Sequence, residues 1–349
     1  MERAIASRVL ISGVANFTTI LCRNSLLAAT YEALWRLLSE SARLGSWLMS
    51  SSSVSRALVL LTRALLVAQS ALVVTGGAVR LTKSGLGCPT WPECAPGSFL
   101  PSPHQAEDPL NIWIEFINRL LTFLLFAISL AVLIAVLRTK RKDLRLLAAL
   151  QILGILGQGV VGGITVLTKL HPAAVGSHFI LSIALIGGAV SLVERAKRYP
   201  SRGEVAPVAR NIVRGLLLLG LLVIALGIIV TGSGPHAGDL AAPRFGFDIR
   251  TVAWLHADFV IAFIGLLTAY LLLLHFAPVV RDEVQKSART KEARILLAIT
   301  LAQGAIGYIQ YFTGVPELLV MAHLLGVVIL WSALVRHAIR IAAFGAPKI

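Results

Sequence analysis

The sequence predicts an all-α, polytopic membrane protein in which eight transmembrane helices form two pseudo-symmetric four-helix bundles. Three observations indicate this fold class. Hydrophobic residues make up 56% of the 349 residues and charged residues only 14%, which is more apolar surface than a soluble chain can hide. The apolar residues are grouped in runs long enough to cross a bilayer, and a set of polar motifs recurs in the two parts of the chain.

Residues 1–56 are expected to be an N-terminal extension of unknown role. Six arginines interrupt its apolar residues, so no run of about 20 apolar residues remains. The arginines are Arg3, Arg8, Arg23, Arg36, Arg43 and Arg56. Three interpretations stay open: an amphipathic helix at the membrane surface, a poorly ordered tail, or a true start of translation at Met49.

Eight apolar runs of spanning length follow, and each is interpreted as a transmembrane helix. They cover residues 57–79, 112–137, 145–167, 174–194, 213–232, 252–277, 295–313 and 318–342. The first four runs define an N-terminal half at residues 57–195, and the last four define a C-terminal half at residues 213–342. A cytoplasmic linker at residues 196–212 is expected between the halves.

The basic residues predict the orientation of the helices. Most of them lie in three alternate gaps between the runs, around residues 138–145, 195–214 and 281–294, while the intervening loops carry few. The positive-inside rule therefore predicts a multi-pass protein of the cell membrane with both termini in the cytoplasm. The same rule explains the net charge of +15, so we expect the lipid bilayer as the partner and no nucleic acid.

The two halves of the chain are similar in sequence. The same offset of 145 residues separates Gln158 from Gln303 and His178 from His323. The segment Thr75-Gly-Gly77 also recurs as Thr231-Gly-Ser233. Two parallel four-helix repeats are therefore expected.

Four polar residues are expected at one depth, about 8 to 11 Å from the outer face of the membrane. They are Asn118, His178, His256 and His323. Two imidazoles on facing helices are what a six-coordinate haem iron needs, so His256 and His323 are predicted to ligate haem iron. Asn118, which the repeat aligns with His256, is a poor iron ligand, and the first half therefore suits a porphyrin that binds and leaves. Structural histidines are the alternative.

Glu115 and Arg119 lie one helical turn apart at the start of the second apolar run. Ionisable residues at membrane depth are costly, usually paired, and usually serve chemistry or transport. Glu115 is therefore a candidate general base, or a group that stabilises positive charge at an oxidised carbon. Arg119 is expected to hold Glu115 ionised or to bind a propionate. A simple structural ion pair is the alternative.

Cys88 and Cys94 lie close together in the first outer loop, in the segment Gly87-Cys-Pro-Thr-Trp-Pro-Glu-Cys94. A compartment outside the cytoplasm permits a disulfide between them, and the rigid proline and tryptophan residues can bring the two thiols together. A redox-active pair that passes electrons or attacks a porphyrin is the alternative.

Three features together resemble the haem A synthase family over about residues 57–342. They are the loop Thr82-Lys-Ser-Gly-Leu-Gly-Cys-Pro-Thr-Trp-Pro-Glu-Cys94, the motif Glu115-Phe-Ile-Asn-Arg119, and paired histidines in a duplicated eight-helix chain. The resemblance implies an oxidoreductase that converts the C8 methyl group of haem O to a formyl group by successive hydroxylations, which gives haem A. It also implies haem b as the iron-containing cofactor, and haem O synthase and terminal-oxidase assembly factors as protein partners.

The resemblance also assigns roles to single residues. The matched residues are His256 and His323 for haem b, His178 for the substrate porphyrin, Glu115 for the catalytic acid, and Cys88 and Cys94 for the outer-loop cysteine pair. Many members of the family carry a histidine where this chain has Asn118, and many carry a second cysteine pair in the later outer loop, where residues 233–251 contain none. Asn118 in the acid motif, together with the loop Gly234-Pro-His-Ala-Gly-Asp239, resembles the form found in actinobacteria.

Two other classes of membrane protein share parts of this pattern. A b-type cytochrome that passes electrons across the membrane requires two permanent haems, but the sequence offers only three suitably placed histidines. A duplicated transporter also has polar groups at matched depth, but its binding site is expected at the midplane, and here the matched residues lie near one face. The haem content of the purified protein separates the three classes.

Overall fold

The computed structural model describes residues 56–102, 105, 107–197 and 205–344, so the expected extension at residues 1–56 lies outside the described residues except for its last one. The described part forms eight helices and no strand. The helices are α1 Arg56–Leu81, α2 Pro109–Arg138, α3 Lys142–Leu167, α4 Pro172–Ala196, α5 Pro207–Ser233, α6 Ile249–Phe276, α7 Glu283–Phe312 and α8 Glu317–Phe344. Each is long and apolar enough to cross a membrane, which confirms the predicted fold class.

Several helices begin earlier than the apolar runs. The clearest case is α7, which starts at Glu283, well before the apolar run that begins at residue 295. Its start is fixed by Asp282, whose carboxylate accepts a hydrogen bond of 2.8 Å from the backbone N–H of Gln285. Asp248 caps α6 in the same way, and its hydrogen bonds with Thr251 hold the pKa of the Asp248 carboxyl below its ordinary value. Capping therefore extends these helices beyond their hydrophobic residues.

The helices pack as two rings of four. In the first half each helix packs on the next, and α4 returns to α1; in the second half α5 to α8 repeat this arrangement. The halves meet where α8 packs on α4 and α1, and where α4 packs on α5. Exchanging α1 with α5 and α4 with α8 maps these contacts onto one another, as a pseudo-two-fold axis requires.

Successive helices run in opposite directions, so the connections lie at two ends of the molecule. The loops α1–α2, α3–α4, α5–α6 and α7–α8 lie together at one end, which is called the disulfide end below. The other end, called the basic end, carries the connections α2–α3, α4–α5 and α6–α7. The even-numbered helices all begin at the disulfide end.

The centre of the interface between the halves is closely packed. Trp331 of α8 is buried, and its indole N–H donates a hydrogen bond of 2.9 Å to the carbonyl oxygen of Ile183 on α4. The close approach depends on Gly187, because a Cβ atom at that position would lie 3.4 Å from the Trp331 ring nitrogen. At the centre of the interface, the two helices related by the pseudo-symmetry axis are thus joined by a specific polar contact in an apolar surface.

A network of charged side chains joins the halves at the basic end. Glu194 of α4 is 3% exposed, and its carboxylate accepts a hydrogen bond of 2.7 Å from Nε of Arg340 on α8. Arg340 also pairs with Glu292 of α7, which accepts a hydrogen bond from Nδ1 of His337. The other ring nitrogen of His337 lies 2.9 Å from the hydroxyl of Tyr270 on α6. One helix of the first half is therefore tied to three helices of the second.

Replacing Glu194 by glutamine is expected to destabilise the protein, because Arg340 then stays buried with less compensating charge. The expected loss is on the order of 3 kcal/mol, measured by thermal unfolding in detergent. Glu283→Gln is the matched control: Glu283 is 82% exposed and lies 3.8 Å from Lys286, so its loss should stay below about 1 kcal/mol. Equal unfolding temperatures for the two variants would contradict the prediction.

Candidate functional site

The loop between α1 and α2 is closed by a disulfide bond. Cys88 and Cys94 are joined, with their Cα atoms 4.4 Å apart, which confirms the predicted bond. The two cysteines are 0% and 1% exposed and pack against Ile112 and Phe116 of α2. Both cysteines are thus shielded from solvent, and the disulfide packs the loop against α2.

Glu115 and Arg119 of α2 form an ion pair beneath this loop, with 2.6 Å between Oε1 of Glu115 and Nη2 of Arg119. Glu115 is only 6% exposed, and its Oε2 accepts a hydrogen bond of 2.8 Å from the backbone N–H of Cys88. Arg119 donates in turn to the carbonyl oxygens of Cys88, Thr90 and Glu93 at 2.9 to 3.2 Å. We call this pair, together with its bonds to the loop, the clasp.

The clasp uses all the hydrogen-bonding capacity of the guanidinium group. Of the five N–H donors of an arginine, Arg119 directs Nε and one donor of Nη2 to Glu115, and the remaining three to loop carbonyl groups. No donor is left for a propionate. The arrangement therefore favours the role in which Arg119 holds Glu115 and the loop.

The loop also contacts α3 through Trp91. A Cβ atom added at Gly163 would lie 2.4 to 2.9 Å from the indole of Trp91, so the ring packs directly on the glycine. The preceding residue, Gly162, faces the imidazole of His178. The clasp thus holds a loop whose tryptophan packs next to the site of His178. The sequence analysis missed Trp91, although the adjacent pair of glycines was a signal of close approach.

Each of the three predicted haem-site histidines lies against a glycine of the preceding helix. A Cβ atom at Gly162, Gly227 or Gly307 would lie 3.2, 3.3 or 3.6 Å from the Cε1 atom of the facing imidazole. The facing residues are His178, His256 and His323, in that order. The repeat therefore extends to packing: each imidazole occupies the space that a missing side chain leaves.

The second half brings two of these imidazoles together. His256 and His323 are close enough to interact electrostatically. Nδ1 of His256 lies 3.0 Å from the carbonyl oxygen of Val223, a contact of the kind that orients a metal-binding imidazole and leaves Nε2 for the metal. Nδ1 of His323 is buried and makes no hydrogen bond of ordinary geometry in the described part of the chain, and the backbone of Gln303 on α7 is the neighbouring acceptor. These features fit a haem iron with two axial imidazoles.

The first half has one imidazole, that of His178, at the two positions that correspond to His256 and His323. His178 is placed like His323, and its buried Nδ1 likewise has no hydrogen-bond partner within the described residues. At the position that corresponds to His256, the Oδ1 atom of Asn118 lies 2.7 Å from the hydroxyl of Thr75 on α1. In the described residues no three histidine, cysteine or acidic side chains converge as a metal centre.

The loops of the two halves are fastened together at the disulfide end. Arg80, at the end of α1, donates hydrogen bonds to the carbonyl oxygens of Thr231 at 2.8 Å and His236 at 2.5 Å. The ring of His236 contacts the carbonyl oxygen of Val315 in the α7–α8 loop at 2.8 Å. Arg80 thus links α1 to the α5–α6 loop, which contains no cysteine. The sequence analysis counted Arg80 only as a loop charge.

The fold and the site define a class: a duplicated helical membrane protein with histidines arranged as axial ligands for haem. The chain belongs to the COX15-CtaA family, described as cytochrome oxidase assembly protein, whose model matches residues 57–335. This finding confirms the resemblance on which the functional prediction was based.

Three relatives share the name heme A synthase. The protein from Shewanella oneidensis is 29% identical over 207 residues, which cover 56% of this chain and 62% of the relative. The protein from Exiguobacterium sibiricum is 27% identical over 60% of this chain and 70% of the relative. The protein from Paracoccus denitrificans is 27% identical over 78% of this chain and 84% of the relative. These matches favour the predicted enzyme over a cytochrome or a transporter.

Replacing Gly163 by alanine is expected to displace Trp91, because the new methyl group would overlap the indole ring. The expected cost is about 1 to 3 kcal/mol of stability, together with increased quenching of tryptophan fluorescence by acrylamide. Gly159→Ala is the matched control on the same helix, where an added Cβ meets nothing within 4 Å, and it should be neutral or stabilising. If the increase in quenching persists in a Trp91→Phe background, another tryptophan causes it and the assignment is wrong.

Proposed function

We propose that this protein is a haem A synthase, which oxidises the C8 methyl group of haem O to the formyl group of haem A by successive hydroxylations. The unequal distribution of imidazoles between two equivalent bundles carries the proposal. His256 and His323 pair in the second half, whereas His178 has Asn118 as its counterpart in the first. A permanent haem suits the first arrangement and an exchangeable porphyrin the second. The relatives named heme A synthase support the same reaction.

In the second half we assign a b-type haem to His256 and His323. The contact between Nδ1 of His256 and the carbonyl group of Val223 supports this assignment, because it fixes the ring with Nε2 available for iron. Gly227 supports it further, since the imidazole packs against the helix where a side chain would displace it. When bound, the haem supplies one-electron redox chemistry.

In the first half we assign haem O as the substrate, with His178 as the iron ligand. Glu115 serves the oxidation as a general base or by stabilising positive charge at the reacting carbon. Arg119 holds this carboxylate and keeps its negative charge compensated. The loop with Trp91 covers the neighbouring face of α3 and restricts the access of water from the disulfide end.

We also propose an orientation and partners. Both termini lie in the cytoplasm and the disulfide end lies at the outer face, because the basic residues are concentrated in the connections of the basic end and a disulfide requires an oxidising compartment. Haem O synthase is the expected source of the substrate. Association with terminal-oxidase assembly factors is supported by the description of the family as cytochrome oxidase assembly proteins.

The haem content of the purified protein tests the function. Protein isolated in detergent from cells that supply haem O should contain haem B together with haem O, haem A or the hydroxylated intermediate, identified by acidic extraction, chromatography and mass. His256→Ala should lose haem B and keep its binding of haem O, whereas the control His275→Ala, at an exposed position of the same helix, should keep both. Haem B alone would favour a cytochrome, and the absence of any haem would favour a transporter.

Replacing Glu115 by glutamine is expected to lower haem A formation by about 100-fold or more, because the charge that serves the oxidation is lost. Glutamine keeps an oxygen that can accept the hydrogen bond from Cys88 but no longer compensates the charge of Arg119. The haem content and the unfolding temperature are therefore measured on the same preparation, to separate a lost catalytic charge from a loosened clasp. Glu317→Gln, an exposed position at the start of α8, is the control and should form haem A at the normal rate. Normal haem A formation by the Glu115 variant, with normal haem content, would exclude the catalytic role.

A further inference from the structure

The two halves differ in their ligand positions: Asn118 stands in the first half where the second half has His256. His256 and His323 lie close together across the second bundle. Asn118 and His178 occupy the corresponding positions of α2 and α4. Because the two bundles share helix order and packing, the repeat places α2 and Asn118 across the first bundle from His178.

The amide of Asn118 is oriented by α1. Its Oδ1 atom is 2.7 Å from the hydroxyl oxygen of Thr75. The same hydroxyl lies 3.2 Å from the carbonyl oxygen of Leu72, and the shorter contact is the one in which it donates to Asn118. The two N–H donors of Nδ2 are thereby directed away from this hydroxyl, and they make no hydrogen bond within the described residues. A carboxamide with its oxygen engaged and its nitrogen available acts as a hydrogen-bond donor. It does not supply the basic nitrogen that iron binds.

We propose that the first half binds haem O through His178 as the single protein ligand of the iron, and that Asn118 donates a hydrogen bond to a small molecule bound on the opposite side of that iron. The inference rests on the function proposed above. It assigns to Asn118 a role that neither imidazole of the second half can have, because both are engaged as ligands there.

The arrangement has two chemical consequences. An iron with one protein ligand is high-spin and keeps a coordination position open, whereas an iron between two imidazoles is low-spin and closed. A donor beside the open position stabilises a bound molecule that carries a lone pair or a partial negative charge. The repeated bundle thus provides one closed site for the cofactor and one open site for the substrate.

Carbon monoxide is a suitable probe, because it binds only to a reduced haem iron with an open position. The wild-type protein loaded with haem O should bind carbon monoxide at haem O, while haem B, closed by His256 and His323, should not bind it. Asn118→His should supply the missing imidazole, so that the absorption spectrum of haem O changes from high-spin to low-spin and the binding of carbon monoxide is lost. Asn118→Leu should keep this binding.

The stretching frequency of bound carbon monoxide reports the hydrogen bond separately. Asn118→Leu removes the donor, and the infrared C–O band should shift to higher frequency. Thr75→Val frees the amide to rotate and should shift the band in the same direction, by less. Neither variant alters an iron ligand, so a role for Asn118 in helix packing alone would leave the band unmoved, and that result would overturn the assignment of the donor.

Extraction of haem O from the same preparations separates this inference from the function on which it rests. Wild-type protein that contains haem O in a low-spin form without carbon monoxide binding would overturn the single-ligand site and leave the haem A synthase function intact. Protein that takes up no haem O would overturn both.

Discussion

The ion pair between Glu115 and Arg119 is the interaction on which the disulfide end depends. The loop above it has no regular secondary structure, so its backbone groups need partners where water is excluded. The guanidinium group satisfies carbonyl groups on both sides of Trp91, and the carboxylate satisfies the N–H of Cys88. One buried pair therefore positions the disulfide, the tryptophan and the candidate catalytic acid together, which explains why these features occur in one short region of the chain.

The duplication gives the protein two bundles with the same helix arrangement, and the residues of their sites can differ. At three of the four equivalent positions in the two bundles, an imidazole on one helix lies against a glycine of the preceding helix. The fourth place has Asn118, held by Thr75 of the neighbouring helix. The second half thus presents two imidazoles to its site, and the first half presents one imidazole and one carboxamide. The surrounding packing stays the same.

The sequence predicted features that depend on local pattern. Eight spans followed from apolar length, because a membrane leaves an apolar segment few alternatives to a helix. It could not predict contacts between distant segments. In the sequence, Arg80 is one of the few basic residues near the outer loops. Only the folded structure shows that it donates hydrogen bonds to carbonyl groups of the other half. Gly163 indicates a close approach, but a glycine does not identify Trp91 as the residue that approaches. In the same way, the sequence does not identify Arg340 as the partner of Glu194.

The polar contacts between the two halves limit how the halves can move relative to each other. Arg80 and His236 fasten them at the disulfide end, and Glu194 with Arg340 fastens them at the basic end. Rocking of one bundle against the other, as in alternating-access carriers, would break polar contacts at both ends at once. Lateral passage of a porphyrin between helices, directly from the lipid, would leave these contacts intact.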